Sequence, residues 1–355
     1  MKGRGKKGIA ALALLAAAVI CVILIWQQGQ RTAHTKSFFA MDTFFVLTAY
    51  GPEAEDALEQ CAGKVEELES LWSVTREDSD IARLNRHARG SMAEEAIKVA
   101  PETFVLVDEA LRLGRETKGA LDITLYPVLR EWGFTTGEYR IPEVERLEEL
   151  LAKTDYTQVE TDEDTLTIFL PKDMELDLGA VAKGYTGDCL TALLREQGIT
   201  SALLDLGGNI LALGTKPDGS LWRVAVQDPF DREKPIGVLE IYDKCVITSG
   251  NYERYFTGED GREYWHILDP ADGYPADAGL VSVTVVGDNG LRCDGLSTAL
   301  FVMGKEQAVE FWRQQGDFGM ILVTRDGELY LTEDLEESFA CGEDWTMQIL
   351  YKEAR

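Results

Sequence analysis

The chain is 355 residues long and 45% hydrophobic, which excludes intrinsic disorder and supplies enough apolar material for one large domain or two closely packed ones. With 62 acidic against 35 basic side chains the formal net charge is −27, so the surface repels nucleic acid. A polyanionic ligand is held on such a surface only where a local cation, a bound metal or a helix N-terminus overrides the field.

The N-terminus departs from this balance. Lys2, Arg4, Lys6 and Lys7 precede Ile9 to Trp26, 18 residues without a charge, which as a helix reach across a bilayer core. No small-x-small cleavage site follows Trp26, and Ile20 rather than a small residue precedes Cys21. Residues 1–26 therefore read as a retained signal anchor, with the basic residues inside and the rest of the chain at the cell membrane on the extracytoplasmic side. Residues 27–37 (QQGQRTAHTKS) are polar and aperiodic and read as a tether, and the folded domain is expected over residues 38–355.

The segment FFAMDTFFVLTAYG, ending at Gly51-Pro52, reads as a strand. Ala57, Leu58, Cys61, Val65, Leu68 and Leu71 then recur at helical spacing across 53–71. Further helices are expected at 79–86, 101–117 and 142–153, with Pro101 and Pro142 near their starts, then two short strands in 156–170 and a helix over 178–197. From 201 to 290 the chain is strand-rich, with runs such as SALLDL, CVITS and LVSVTVV. Helices at 294–303 and 305–315 and a hairpin in FGMILVTRDGELYL follow. Strands and helices mix without regular alternation, which predicts an α+β fold of mixed sheets with packed helices rather than a doubly wound sheet. No G-x-G-x-x-G fingerprint follows a strand, and no P-loop occurs. Five cysteines (Cys61, Cys189, Cys245, Cys293, Cys341) lie beyond the apolar run, an odd number without a C-x-x-C pair, so neither a disulfide framework nor a zinc site is expected.

Four glycine-punctuated polar segments interrupt this patterning. In Glu175 to Tyr185, Gly179 and Gly184 bracket a helix start where free amides hold a phosphate, with Lys183 as the cation; alternatively Asp177 only caps the helix. Leu204 to Asn209 is a strand ending in Gly207-Gly208, equally explained as a tight turn. Thr248 to Glu253 leads to Tyr264-Trp265-His266-Ile267-Leu268-Asp269-Pro270, where His266 is either a general base or a hydrogen-bonded structural residue. In Cys293 to Leu300, Asp294 and Thr298 are four residues apart and share a helix face, offering hard oxygens to Mg²⁺; an N-cap role for Asp294 explains it as well.

In order, these segments resemble the ApbE family of FAD:protein FMN transferases. The likeness spans about residues 38 to 333 through Met41-Asp42-Thr43, Ser79 to Asn85, Gly119 to Thr124, Asp177 to Gly184, Asp205 to Asn209, Thr248 to Glu253, His266 to Pro270 and Asp294 to Gly304. Each motif alone is unspecific; eight in family order are not. The resemblance implies an α+β fold enclosing one FAD, lined by Met41, by Ala120, Leu121 and Asp122 of the 119–124 segment, and by Asp177, Lys183 and Leu268. It implies Mg²⁺ held by Asp294, Thr298 and the carbonyl of Ala180. The reaction it implies cleaves the FAD pyrophosphate, releases AMP and joins FMN to a threonine or serine hydroxyl of an acceptor flavoprotein, a subunit of a membrane electron-transport complex. His266 is the candidate catalytic base.

Two departures stand out. The family's Met-Gly-Thr is here Met41-Asp42-Thr43, and Trp72-Ser73-Val74-Thr75 lacks the aromatic that members place near Thr75, a role for which Trp72 is the substitute. Two other functions use the same residues: Mg²⁺-dependent hydrolysis of FAD to FMN and AMP, and FAD binding at the cell surface without catalysis.

Overall fold

A computed structural model describes residues 31–90 and 95–353. Its centre is a nine-stranded sheet whose strands lie side by side in the order in which they occur in the chain. They are β1 (Ala33–Ala40), β2 (Thr43–Tyr50), β3 (Ala202–Leu206), β4 (Asn209–Leu213), β5 (Cys245–Gly250), β6 (Leu280–Gly287), β7 (Gly319–Thr324), β8 (Leu329–Thr332) and β9 (Met347–Leu350). Every neighbouring pair is antiparallel except the last, β8 with β9. Among the described residues seven α-helices occur, α1 (Ala54–Trp72), α2 (Asp80–Ala88), α3 (Pro101–Glu116), α4 (Tyr126–Trp132), α5 (Val144–Leu151), α6 (Ala182–Glu196) and α7 (Gly290–Gln315), and they enter as excursions between strands. Helices and strands mix as the α+β expectation requires.

Period-2 alternation explains why this sheet is covered on both faces. Ile247, Val283, Val285, Met320 and Leu322 join one core with residues of α1, α3, α6 and α7. Val246, Val281, Val286, Ile321 and Val323 join a second core with Trp222, Val224, Leu239 and Phe339 of a three-stranded sheet that lies over the other face. β6 is buried along its whole length and reads as a mostly apolar run, interrupted only by Ser282 and Thr284. A third cluster, built on Trp132, Phe134, Leu147 and Leu150, ties α4 and α5 to Leu268, and the Trp132 indole donates to the Gly273 carbonyl at 2.7 Å.

Three boundaries differ from the sequence reading. The stretch 27–37 is not a tether throughout, because Ala33–Ser37 pair with β2 as the start of edge strand β1. The aromatic run 38–51 is a hairpin rather than one strand: Ala40 pairs with Thr43, and Met41 and Asp42 have φ of 47° and 60°, the two positive values of a type I′ turn. The helices expected at 294–303 and 305–315 are halves of α7, which starts at Gly290 and breaks at Gly304 (φ 74°). Among the described residues no helix is long and apolar enough to cross a membrane; the anchor expected over 1–26 lies outside the described residues. The five cysteines beyond it are free thiols.

Candidate active site

The starts of α6 and α7 are clamped to each other. Asp188 of α6 accepts the amides of Gly290 (2.7 Å) and Leu291 (2.9 Å), capping α7, while Asp294 of α7 accepts the Gly184 amide of α6 at 2.8 Å. Glycine is required at this crossing: a Cβ on Gly184 would stand 2.1 Å from the Gly290 carbonyl oxygen and 2.7 Å from the Asp294 Cβ. Because the Gly184 N–H goes to Asp294, the carbonyl of Ala180, four residues earlier, does not receive it.

Asp294 is 4% exposed, and burial raises its pKa against the opposing pull of the Lys183 charge, of Asn209 and of the Gly184 amide. The Asn209 amide nitrogen is itself buried without a hydrogen-bond partner. Around them stand hydroxyls: Ser297 donates to the Asp294 carbonyl at 2.8 Å, and Ser249 lies 2.8 Å from the Ser297 hydroxyl and 3.4 Å from that of Thr298. A buried carboxylate, a freed carbonyl and a set of hydroxyls form an all-oxygen environment, which suits a hard cation such as Mg²⁺. Among the described residues no group of three or more His, Cys, Asp or Glu side chains is placed to hold a metal. The capping explanation for Asp294 fails, because α7 begins four residues earlier with Asn289 as its N-cap.

Asp177 does not cap α6 either, which starts at Ala182 with no side-chain cap. Its carboxylate accepts the Gly179 amide at 2.8 Å, and its own amide donates to Ile123 at 2.9 Å, so the 175–179 strip runs beside the 120–124 segment. Burial raises Asp177, the Asp42 carboxylate pushes the same way, and Gly179, Arg254 and Lys183 oppose it. Asp122 accepts the amide (2.8 Å) and hydroxyl (2.6 Å) of Thr124, and burial raises it too. A cavity of about 920 Å³ opens beside this strip, lined by Ala120, Asp122, Tyr156, Asp269 and Pro270 among others; Asp177, Lys183 and Asp294 are not in its lining.

Met41 reaches the same region from the hairpin turn. Its amide donates to Glu69 at 3.1 Å, and the Thr186 hydroxyl of α6 stands 3.6 Å from its sulfur. The neighbouring turn, Gly207-Gly208, is the β3–β4 hairpin; a Cβ on Gly207 would strike Thr43, so the two turns pack together at one end of the sheet. Trp72 is buried against Tyr185, ring centroids 5.7 Å apart, with its indole N–H unpaired.

His266 enters from the end of a two-stranded ribbon. Its amide donates to the Arg254 carbonyl at 3.1 Å, and its Nδ1 lies 3.2 Å from the same oxygen. A carbonyl only accepts, so Nδ1 carries the proton and Nε2 is left with its lone pair. Burial pulls His266 down to about 4, the charges of Arg254 and Lys183 add to this, and the carbonyl bond resists it. Lys183 thus acts electrostatically on Asp177, His266 and Asp294 alike. Leu268 is buried two residues on and packs in the α4–α5 cluster.

The sequence reading missed Arg254, Ser249, Ser297 and Asn209 as individual site residues. Ser297 had a signal, since it lies three residues after Asp294 on the same helix face.

A model of the ApbE family matches residues 41–322. An FAD:protein FMN transferase of Klebsiella pneumoniae (strain 342) is 36% identical over 270 residues, 76% of this chain and 82% of the relative. The ApbE protein of Thermotoga maritima superposes with a TM-score of 0.80 at 30% identity, covering 86% of this chain and 99% of that one. The flavin transferase ApbE of Vibrio cholerae does so with a TM-score of 0.77 at 29% identity, with the same coverage.

Proposed function

The chain belongs to the ApbE family, and from that premise we propose that it is an FAD:protein FMN transferase: it moves FMN from FAD to a threonine or serine hydroxyl of an acceptor flavoprotein, with Mg²⁺, and releases AMP. The observation that carries this reading is the mutual clamp of the two helix starts, which brings Asp294 to Lys183 and the 177–184 segment. In a chain of net charge −27, that is where a dinucleotide's phosphates find a cation, Lys183; the amides of Gly179, Gly184, Gly290 and Leu291 are already taken by Asp177, Asp294 and Asp188.

Asp294, Thr298 and the Ala180 carbonyl would hold the metal. Bound there, Mg²⁺ neutralises charge on the phosphates and makes the reacting phosphorus more electrophilic. Met41, Ala120, Leu121, Asp122, Asp177, Lys183 and Leu268 line the FAD site in this reading. His266 Nε2 takes the proton of the incoming hydroxyl as its oxygen bonds to the FMN phosphorus, and the bridging P–O bond breaks with its electron pair leaving on AMP. Nδ1–H held by the Arg254 carbonyl leaves Nε2 free for that task.

Residues 1–26 anchor the protein in the membrane, and the acceptor is a subunit of a membrane electron-transport complex on the extracytoplasmic side. This part of the reading is supported by the charge and hydropathy pattern alone.

Incubating the protein with FAD, Mg²⁺ and a flavin-acceptor domain, then weighing the acceptor by mass spectrometry, tests the reading. FMN covalently on the acceptor supports it. Free FMN beside an unmodified acceptor indicates hydrolysis, and intact FAD bound in stoichiometric amount indicates a binding protein.

A further inference from the structure

Arg254 carries no role in the reading above except through its carbonyl oxygen, yet its side chain is oriented. The guanidinium donates through Nη2 to the carbonyl oxygen of Phe134, the residue whose ring meets the His266 ring edge-on with centroids 6.4 Å apart. The same residue's carbonyl accepts both the His266 amide and Nδ1. The His266 amide and Nδ1 thus both bond to the Arg254 carbonyl, while the guanidinium is anchored to the main chain of the residue whose ring His266 packs against. The charged groups bearing on that ring are Arg254, preceding the ribbon strand Tyr255–Thr257, and Lys183, on α6; both are cations.

We infer that Arg254 is a positioning residue for the transfer step: its carbonyl fixes which nitrogen of His266 faces the incoming hydroxyl, and its guanidinium keeps the ring unprotonated. The inference rests on the transferase reading and adds to it a residue that touches neither FAD nor acceptor. A cation beside an imidazole disfavours the imidazolium, so removing the charge raises the pH at which the ring takes a proton. Arg254→Gln removes the charge and Arg254→Lys keeps it.

The test follows FMN transfer to an acceptor domain between pH 4.5 and 8.5 for the wild type and both variants, with FAD binding measured separately by fluorescence. The Gln variant is expected to bind FAD within about twofold of wild type and to lose kcat by about tenfold at the acid end but less at pH 8, its acid limb displaced upward. The Lys variant is expected to bring the limb back. Histidine NMR reads the ring directly: with His34, His87 and His266 in the chain, a His266→Asn sample assigns the signal. A His266 signal that titrates at the same pH in wild type and Arg254→Gln overturns the inference, as does an acid limb that fails to move. A wild-type protein that leaves the acceptor unmodified sinks the transferase reading instead, while the NMR titration still decides whether Arg254 governs the ring.

Discussion

The amide of Gly184 donates to the carboxylate of Asp294 across 110 residues of chain, at 2.8 Å, and this bond is made where a helix would otherwise bond to itself. It leaves a buried carboxylate facing Asn209 and Lys183 in protein of low dielectric, a costly arrangement unless a cation completes it. Asp294→Asn keeps an acceptor for Gly184 and removes the charge. The variant is expected to melt at or above the wild-type temperature without divalent cations and to lose FMN transfer. Added Mg²⁺ should stabilise the wild type by about 2.7 kcal/mol at a hundredfold excess over Kd and leave the variant unmoved. Thermal melts with and without Mg²⁺ decide this; equal Mg²⁺ stabilisation of both proteins removes Asp294 from the cation site.

Gly184→Ala attacks the same bond sterically. The new Cβ meets the Gly290 backbone at 2.1 Å, which no rotamer change relieves, so α6 and α7 must part. Overpacking against backbone is expected to cost about 3 kcal/mol in urea unfolding, and to abolish transfer even where the fold survives. An alanine variant of wild-type stability and activity would show that the two helices do not cross this closely.

Asp42 is the point where this chain departs from Met-Gly-Thr. Its φ of 60° is one that glycine adopts freely and that aspartate and asparagine tolerate, which is why the I′ turn survives the change. Its carboxylate bears on Asp177 in the proposed FAD site. Asp42→Asn preserves the turn and removes that repulsion, so KM for FAD is expected to fall by about two- to fivefold with kcat little changed. A KM that is unchanged or higher would mean that the carboxylate makes a favourable contact with substrate or acceptor.

The elements of this fold were legible where burial follows one period. α1 shows its apolar face at helical spacing, and the long central strands read as apolar runs because both faces are covered. The hairpin at Met41-Asp42 was hidden because aromatic and β-branched residues flank the turn closely on both sides and neither turn residue is glycine. The start of β1 was hidden because an edge strand with alternating exposure is polar enough to pass for a tether. At the site, the residues proposed to hold phosphate and metal were visible by type. The relations that organise them run through main-chain atoms distant in sequence, such as Asp188 with Gly290, which side-chain patterns do not encode.

His266→Asn separates binding from chemistry. The ring packs edge-on to Phe134 and bonds the Arg254 carbonyl through Nδ1, a contact that the asparagine amide reproduces. What is lost is the basic Nε2. FAD affinity is expected to hold while FMN transfer falls by about 10²- to 10⁴-fold, the range of a positioned general base. Unaltered turnover would leave His266 a structural residue.

The depressed pKa of His266 also fixes a stability trend. Folded, the ring takes a proton only near pH 4, whereas in the unfolded chain it does so near its ordinary 6.5. Between those values the unfolded state holds more protons, so stability rises with pH from 4 to 6.5, and this share of it is lost as pH falls through the same window. His266→Asn cannot take that proton in either state. Its melting temperature is therefore expected to drop less than the wild type's between pH 6.5 and 4.5. The carboxylates raised by burial, Asp177, Asp122 and Asp294, work in the opposite sense in both proteins: their protonation is favoured in the fold, so acid relieves rather than adds to their cost. Because they are common to the pair, the difference between the two melting curves isolates the histidine, and parallel curves would mean that the ring is hydrated enough to titrate as it does in the unfolded chain.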